Sequence, residues 1–166
     1  MNRIFSIIVF LSATGALQAQ DVTITTVILV RHAEKANDGT RDPALSAEGA
    51  ERSAKFASLF SETKIGAVYS TNYKRTRNTL IPVAEARGIE IRAYEPTSMA
   101  AIDKMVEDHN GETIIVAGHS NTIPAIANHL LGRKEFSDFD ESDYGNILII
   151  SIVTNPRVAT VMRLRY

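Results

Sequence analysis

The chain of 166 residues contains no cysteine, and that absence removes disulfides, thiolate metal sites, cysteine nucleophiles and lipid attachment through an N-terminal cysteine. It also lacks a surplus of either charge. With 18 basic and 19 acidic side chains, the formal net charge is −1, so no nucleic-acid or anionic-membrane surface is implied and any affinity for phosphate has to be local. No internal repeat, low-complexity tract or Pro/Gly/Ser-rich linker divides the sequence, which argues for one domain. The four histidines, His32, His109, His119 and His129, show no metal-ligand spacing, and neither a metal nor another cofactor is expected. An apolar run spans residues 4–17, preceded by Arg3 and with small residues around Ala16 and Ala19. Ser12, Thr14 and Gly15 interrupt it, and it falls short of the ~20 residues that a spanning helix needs. It reads as a secretory signal peptide over residues 1–19. The expectation is therefore a periplasmic or secreted protein with no stable membrane insertion after cleavage. Residues 20–166 would form its domain, long enough to bury roughly two thirds of its surface.

Six segments rich in β-branched and aliphatic residues read as strands: 26–30, 65–69, 90–94, 113–117, 147–154 and 158–164. Helical patterns at 46–60, 73–87, 98–110 and 122–131 lie between the earlier ones. Such alternation predicts a three-layer α/β/α sandwich around a six-stranded, mostly parallel sheet. Asn155-Pro156-Arg157 is too short for a crossover, so the last two strands should form a hairpin and make one strand antiparallel. Ser46 is expected to cap a helix and Gly132 to end one. Pro82 should kink or stop the second helix near Leu80 or Ile81.

The chemistry concentrates at strand ends. Arg31-His32 follows Thr26-Val27-Ile28-Leu29-Val30 directly, and Gly118-His119-Ser120-Asn121 follows Thr113-Ile114-Ile115-Val116-Ala117. A third polar junction, residues 70–79, contains Arg75 and follows the second strand. In a parallel sheet these junctions share the carboxyl edge, where open α/β sheets bind ligands. An imidazole there can attack phosphorus while a planar guanidinium neutralises non-bridging oxygens. His109 and His129 lie in helix patterns and read as surface or cap residues.

The ordered set Arg31-His32-x-Glu34-Lys35, Asp42-x-x-Leu45-Ser46-x-x-Gly49, Ser70-x-x-x-x-Arg75-x-x-x-Thr79 and Gly118-His119-Ser120-Asn121 resembles the histidine phosphatase (phosphoglycerate-mutase-like) superfamily. The resemblance implies a six-stranded sheet with one antiparallel strand, transient phosphorylation of His32, and a phosphate pocket formed by Arg31, Arg75 and His119. Arg31, Arg75 and a cationic His119 would then clamp the three equatorial oxygens of the transferring group. Two departures stand out. Ala33 replaces the family's frequent Gly, and only Pro96-Thr97-Ser98 precedes the third helix, so the large insertion that covers the pocket in mutases is missing. The chain therefore looks like a short exported branch in which water can reach a phosphoenzyme.

The reading is an exported, metal-independent phosphatase acting on phosphomonoesters of small molecules, with envelope sugar phosphates as one class. A phosphomutase and a non-catalytic phosphate-binding module are the alternatives. Glu95, just past the third strand, is the expected proton donor because it falls on the same edge and the family's acidic residue commonly follows that strand. Glu34 is the runner-up, and Glu34, Lys35 and Ser120 are expected near the substrate. Oligomeric state is open.

Overall fold

The computed structural model describes residues 22–166; the expected signal peptide and its cleavage site lie outside the described residues. The elements run β1 (Ile24–Arg31), α1 (Ala47–Leu59), β2 (Ala67–Ser70), α2 (Lys74–Glu85), β3 (Ile91–Ala93), α3 (Met99–Asp108), β4 (Thr113–Gly118), α4 (Thr122–Leu131), β5 (Asn146–Thr154) and β6 (Arg157–Arg165). They build a six-stranded sheet in the order β3-β2-β4-β1-β5-β6. β3, β2, β4 and β1 are mutually parallel, β5 is antiparallel to β1, and β6 is antiparallel to β5. One strand in six thus runs against the others, as the sequence predicts. Among the described residues no helix is long and apolar enough to cross a membrane.

The apolar run of β1 is continuous because both of its faces are covered. Val27 and Leu29 pack with Val116, Ile150 and helix residues such as Ile102 and Ile126. Ile28 and Val30 point the other way, onto Phe56, Leu80 and Val83. Successive strand side chains alternate between faces, so α1 and α2 cover one face and α3 and α4 the other. Each buried aliphatic side chain contributes about 1.5–3 kcal/mol relative to exposure. The chain passes from β1 by α1 to β2 and on to β3, then returns by α3 to place β4 between β2 and β1. The carboxyl ends of β1 and β4 therefore flank the point where the winding reverses, the usual crevice of such sheets.

Of the two outcomes expected at Pro82, the stop does not occur: α2 continues past Leu80 to Glu85 with the proline inside it. A proline lacks the N–H that would reach the carbonyl of Asn78. The buried hydroxyl of Ser53 supplies the missing donor from α1, 3.1 Å from the Asn78 oxygen and 2.9 Å from that of Thr79. Helix packing has absorbed a local defect.

The other punctuation acts as expected. Ser46 accepts from the Gly49 amide at α1, and Gly132, with φ 67°, ends α4 in the left-handed region that favours glycine. Arg157, Arg163 and Arg165 lie on the edge strand β6, where cationic side chains oppose pairing with another chain.

Ser53→Ala should lower stability by about 1–3 kcal/mol, the cost of leaving a buried acceptor unsatisfied. In a Pro82→Ala background, where the helix amide returns to Asn78, the loss should shrink. Urea unfolding of the four proteins checks this, and equal losses in both backgrounds would show that Ser53 does not compensate Pro82.

Candidate active site

At the end of β1 the ladder carries on past the strand, with the His32 amide donating to the Gly118 carbonyl at 2.9 Å. This holds His32 beside the end of β4. Its Nδ1 lies 2.8 Å from the Ala33 carbonyl oxygen. A carbonyl only accepts, so Nδ1 carries the proton and Nε2 keeps its lone pair. Ala33 is fixed in turn by Thr79 of α2, whose hydroxyl accepts from the Ala33 amide at 2.9 Å and donates to the Arg75 carbonyl at 2.8 Å.

The following residues lie against α1. The Glu34 carbonyl accepts from the Ser46 amide at 2.9 Å, and a Cβ on Gly49 would collide with that same Glu34 carbonyl. Gly49 is thus required by a close backbone approach. Asp42 serves α2: its Oδ1 accepts from the Lys74 amide at 2.9 Å and lies 3.8 Å from Arg75 Nη1. The Arg75 guanidinium also sits over the Tyr73 ring, 4.5 Å from its centroid.

His32 and His119 meet edge to face with ring centroids 5.4 Å apart. His119 Nε2 is 3.1 Å from the Thr71 hydroxyl, and its backbone amide donates to Thr122 Oγ1 at 2.9 Å. Both histidines, Arg75, Lys35, Tyr73 and Ser120 line a cleft of about 340 Å³. Larger hollows exist elsewhere, one of about 760 Å³ bounded by Asp103, His129 and Arg157, but the convergent histidine and arginine side chains are in the smaller one. Arg31, expected in the phosphate pocket, does not itself line the cleft: it is 1 % exposed and touches the lining residue Glu141. Its Nη1 donates to the carbonyls of Asp140 (2.8 Å) and Asp143 (3.1 Å), its Nη2 donates to Glu141 (3.0 Å), and the Tyr144 ring covers it at 4.2 Å. Among the described residues the Nε atoms of Arg31 and Arg75 are buried without hydrogen-bond partners, donors that the oxygens of a bound anion would satisfy.

Burial pushes His32 down from an ordinary value of 6.5 to about 4, with Arg31 and Arg75 adding to the effect. His119 is lowered to about 4 by the same causes, burial first and then Arg75 and Arg31. In the free protein an imidazolium cannot be held cheaply between two guanidinium groups in a partly desolvated site. His119 is therefore neutral at pH 7 in the free protein.

The acidic expectations are also corrected. Glu95 is exposed, its carboxylate engaged by the Thr97 amide (3.3 Å) and hydroxyl (2.9 Å), and it does not line the cleft; its neighbour Pro96 does. A short turn after β3 has directed it outward. Glu34 forms a two-pronged pair with Arg52, at 2.7 and 2.9 Å from Nε. Partial burial works against its charge, but the Arg52 contacts prevail and hold the carboxyl below its ordinary value. Glu34 joins the β1 end to α1 and does not reach the cleft. The acidic residue that does is Glu141, which the sequence reading missed together with Thr71, Tyr73 and Tyr144. Glu141 and Tyr144 belong to an irregular segment with no periodic signal, and only the chain's return over the sheet edge reveals them.

His109 caps α3 and is buried, with Nε2 3.0 Å from Tyr69 and Nδ1 2.6 Å from Glu112. His129 pairs with Asp103 at 2.9 Å. Among the described residues no group of three or more His, Cys, Asp or Glu side chains is placed to hold a metal ion.

Two histidines and two arginines thus gather at the switch point of a singly reversed six-stranded sheet, an α/β domain with its cationic and imidazole groups at one edge. Residues 27–96 match the model of the histidine phosphatase superfamily (branch 1). The protein histidine phosphatase SixA, solved with tungstate, superposes with a TM-score of 0.68 at 16% identity, over 84% of this chain and 96% of that one. A mycobacterial glucosyl-3-phosphoglycerate phosphatase gives 0.67 at 12% identity, over 83% and 97%. The phosphoserine phosphatase of Entamoeba histolytica, in complex with 3-phosphoglyceric acid, gives 0.65 at 15% identity, over 86% and 97%. No curated protein matches the sequence.

The geometry predicts that nitrogen NMR of the free protein at neutral pH will find His32 protonated on Nδ1 only and titrating near pH 4. A midpoint near 6.5 would contradict it. The unfolded chain, with ordinary histidines, binds more protons between pH 4 and 6.5, so stability should fall as pH drops through that window.

Proposed function

We propose that the protein is an exported, metal-independent phosphatase that hydrolyses small phosphomonoesters through a phosphohistidine at His32. The observation that carries this reading is the state of His32: Nδ1 is bound to the Ala33 carbonyl, the residue lines the cleft, and Nε2 has no partner among the described residues. A neutral imidazole with one bare nitrogen is a nucleophile ready to act. Arg75 and the unpaired Nε of Arg31 would take non-bridging oxygens, and His119 would become cationic once a phosphate dianion lies beside it. Its charge then appears only where the reaction needs it.

Hydrolysis is favoured over a mutase cycle because only residues 94–98 separate β3 from α3, leaving nothing there to cover the cleft and keep water from the phosphoenzyme. A mere phosphate-binding module would gain nothing from a nucleophile held in one tautomer. A cleft of about 340 Å³ suits a small ligand, and Lys35 at its exposed side can meet a second anionic or polar group. Together with the export signal read in residues 1–19, this favours an envelope sugar phosphate. The folds shared with phosphatases of phosphorylated small molecules support the substrate class, and the export reading rests on the sequence of residues 1–19 alone.

Acid quenching with labelled substrate should trap phosphate on the wild-type protein, while His32→Ala should abolish labelling and turnover together. Arg75→Ala should lower turnover by roughly a hundredfold or more, the cost of removing one preorganised charge-stabilising donor. Chelators should leave activity intact and vanadate should inhibit it. Reactivation of a chelated sample by a divalent ion would overturn the metal-free reading, and burst labelling in His32→Ala would overturn the nucleophile. N-terminal sequencing of protein from the periplasm of an expressing bacterium should start near Gln20.

A further inference from the structure

We propose that Glu141 is the proton donor to the leaving group and that the substrate's phosphate brings it into that role by displacing it from Arg31. This rests on the phosphatase reading above and concerns one residue within it.

Glu141 is the sole carboxylate among the described residues that line the cleft. One oxygen accepts from the Ser120 hydroxyl and the other from Arg31 Nη2 at 3.0 Å. Both Nη1 contacts of Arg31 go to main-chain carbonyls, of Asp140 and Asp143. What remains is the Nε and Nη2 edge, two parallel donors that fit two oxygens of one phosphate. Nε is buried and unpaired, while Nη2 is held by Glu141. The carboxylate thus engages one of the two nitrogens that a phosphate would take. Its side chain is 77 % exposed, and a dianion with two oxygens on the guanidinium outcompetes a single exposed carboxylate contact.

Once displaced, Glu141 stays tethered to Ser120 at the rim. His32, 4 % exposed, attacks from the floor, and in-line displacement sends the leaving oxygen to the opposite side of phosphorus. That side faces the rim. In the free protein Ser120, then Arg31 and Lys35, hold the Glu141 carboxyl below its ordinary value. Exchange removes the Arg31 contact and sets a phosphate anion beside the carboxylate, and both changes raise its proton affinity.

In the first step the bond from His32 Nε2 to phosphorus forms and the phosphorus–oxygen ester bond breaks. The electron pair stays on the leaving oxygen, which takes the proton from Glu141 and departs as the alcohol. In the second step the Glu141 carboxylate removes a proton from water while the water oxygen bonds to phosphorus and the phosphorus–nitrogen bond breaks. Inorganic phosphate and protonated Glu141 result, so the cycle closes without another reactant.

The test compares wild type, Glu141→Gln and Glu95→Gln on p-nitrophenyl phosphate and phenyl phosphate, two substrates of similar shape whose leaving groups differ in their need for a proton. The readout is kcat/KM, which reports the phosphorylation step. Glu141→Gln should lose about a hundredfold or more on phenyl phosphate but no more than about tenfold on the nitrophenyl ester. Glu95→Gln should match wild type on both. Equal losses on the two substrates would overturn the donor role and leave Glu141 as a residue that only positions Arg31. A selective loss in Glu95→Gln would overturn it as well. If the wild type shows His32-dependent labelling, these outcomes bear on Glu141 alone; if it turns over neither ester, the phosphatase reading falls and this proposal with it.

Discussion

Arg31 places a guanidinium, 1 % exposed, at the end of the central parallel strand. Removing such a charge from water costs several kcal/mol unless hydrogen bonds and counter-charge replace the solvent. The replacement comes from one segment, residues 140–144, through two main-chain carbonyls, one carboxylate and one aromatic ring. That need explains why an irregular stretch between α4 and β5 folds back over the sheet edge. The segment also borders the cleft: Glu141 lines it, and the Tyr144 ring lies 5.9 Å from that of His32. The same buried charge, with Arg75, disfavours protonation of His32 and His119, so one side chain both anchors the loop and helps keep the imidazoles neutral.

The precision of the edge depends on cross-links from helices to the residues after β1. Thr79 ties Ala33 to α2, Ser46 and Gly49 seat the Glu34 backbone on α1, and Arg52 grips the Glu34 side chain. Asp42 joins the start of α2 to the loop before α1. These contacts locate the Ala33 carbonyl, and the Ala33 carbonyl sets the tautomer of His32. A rigid chain of support of this kind lets a reacting group be placed without reorganisation at the moment of reaction. The spacing of Leu45-Ser46-x-x-Gly49 and Arg75-x-x-x-Thr79 thus has a mechanical meaning: each pairs a helix's local geometry with a grip on the same short stretch of backbone.

Much of this was legible in the linear chain. Period-two and period-3.6 patterns depend on which face of an element is buried, so strands and helices could be read to within a few residues. Histidines directly after two apolar strands pointed to the shared edge because parallel strands end together. Where the reading failed, the determining partner was distant. Pro82 passes within α2 because Ser53, from another helix, satisfies Asn78. Glu95 turns outward because Thr97 holds it, and Glu34 is committed to Arg52.

The sequence by itself therefore determined the order of layers, the strand that runs backwards and the two junctions that carry histidine, since each is written in local periodicity or in the length of a connection. Only the tertiary structure decided which carboxylate enters the cleft, which nitrogen of His32 is bare and where the charge of Arg31 is spent. These depend on contacts across roughly a hundred residues of chain, such as Arg31 with Asp140. Burial and electrostatics act through space, and no spacing along the backbone encodes them.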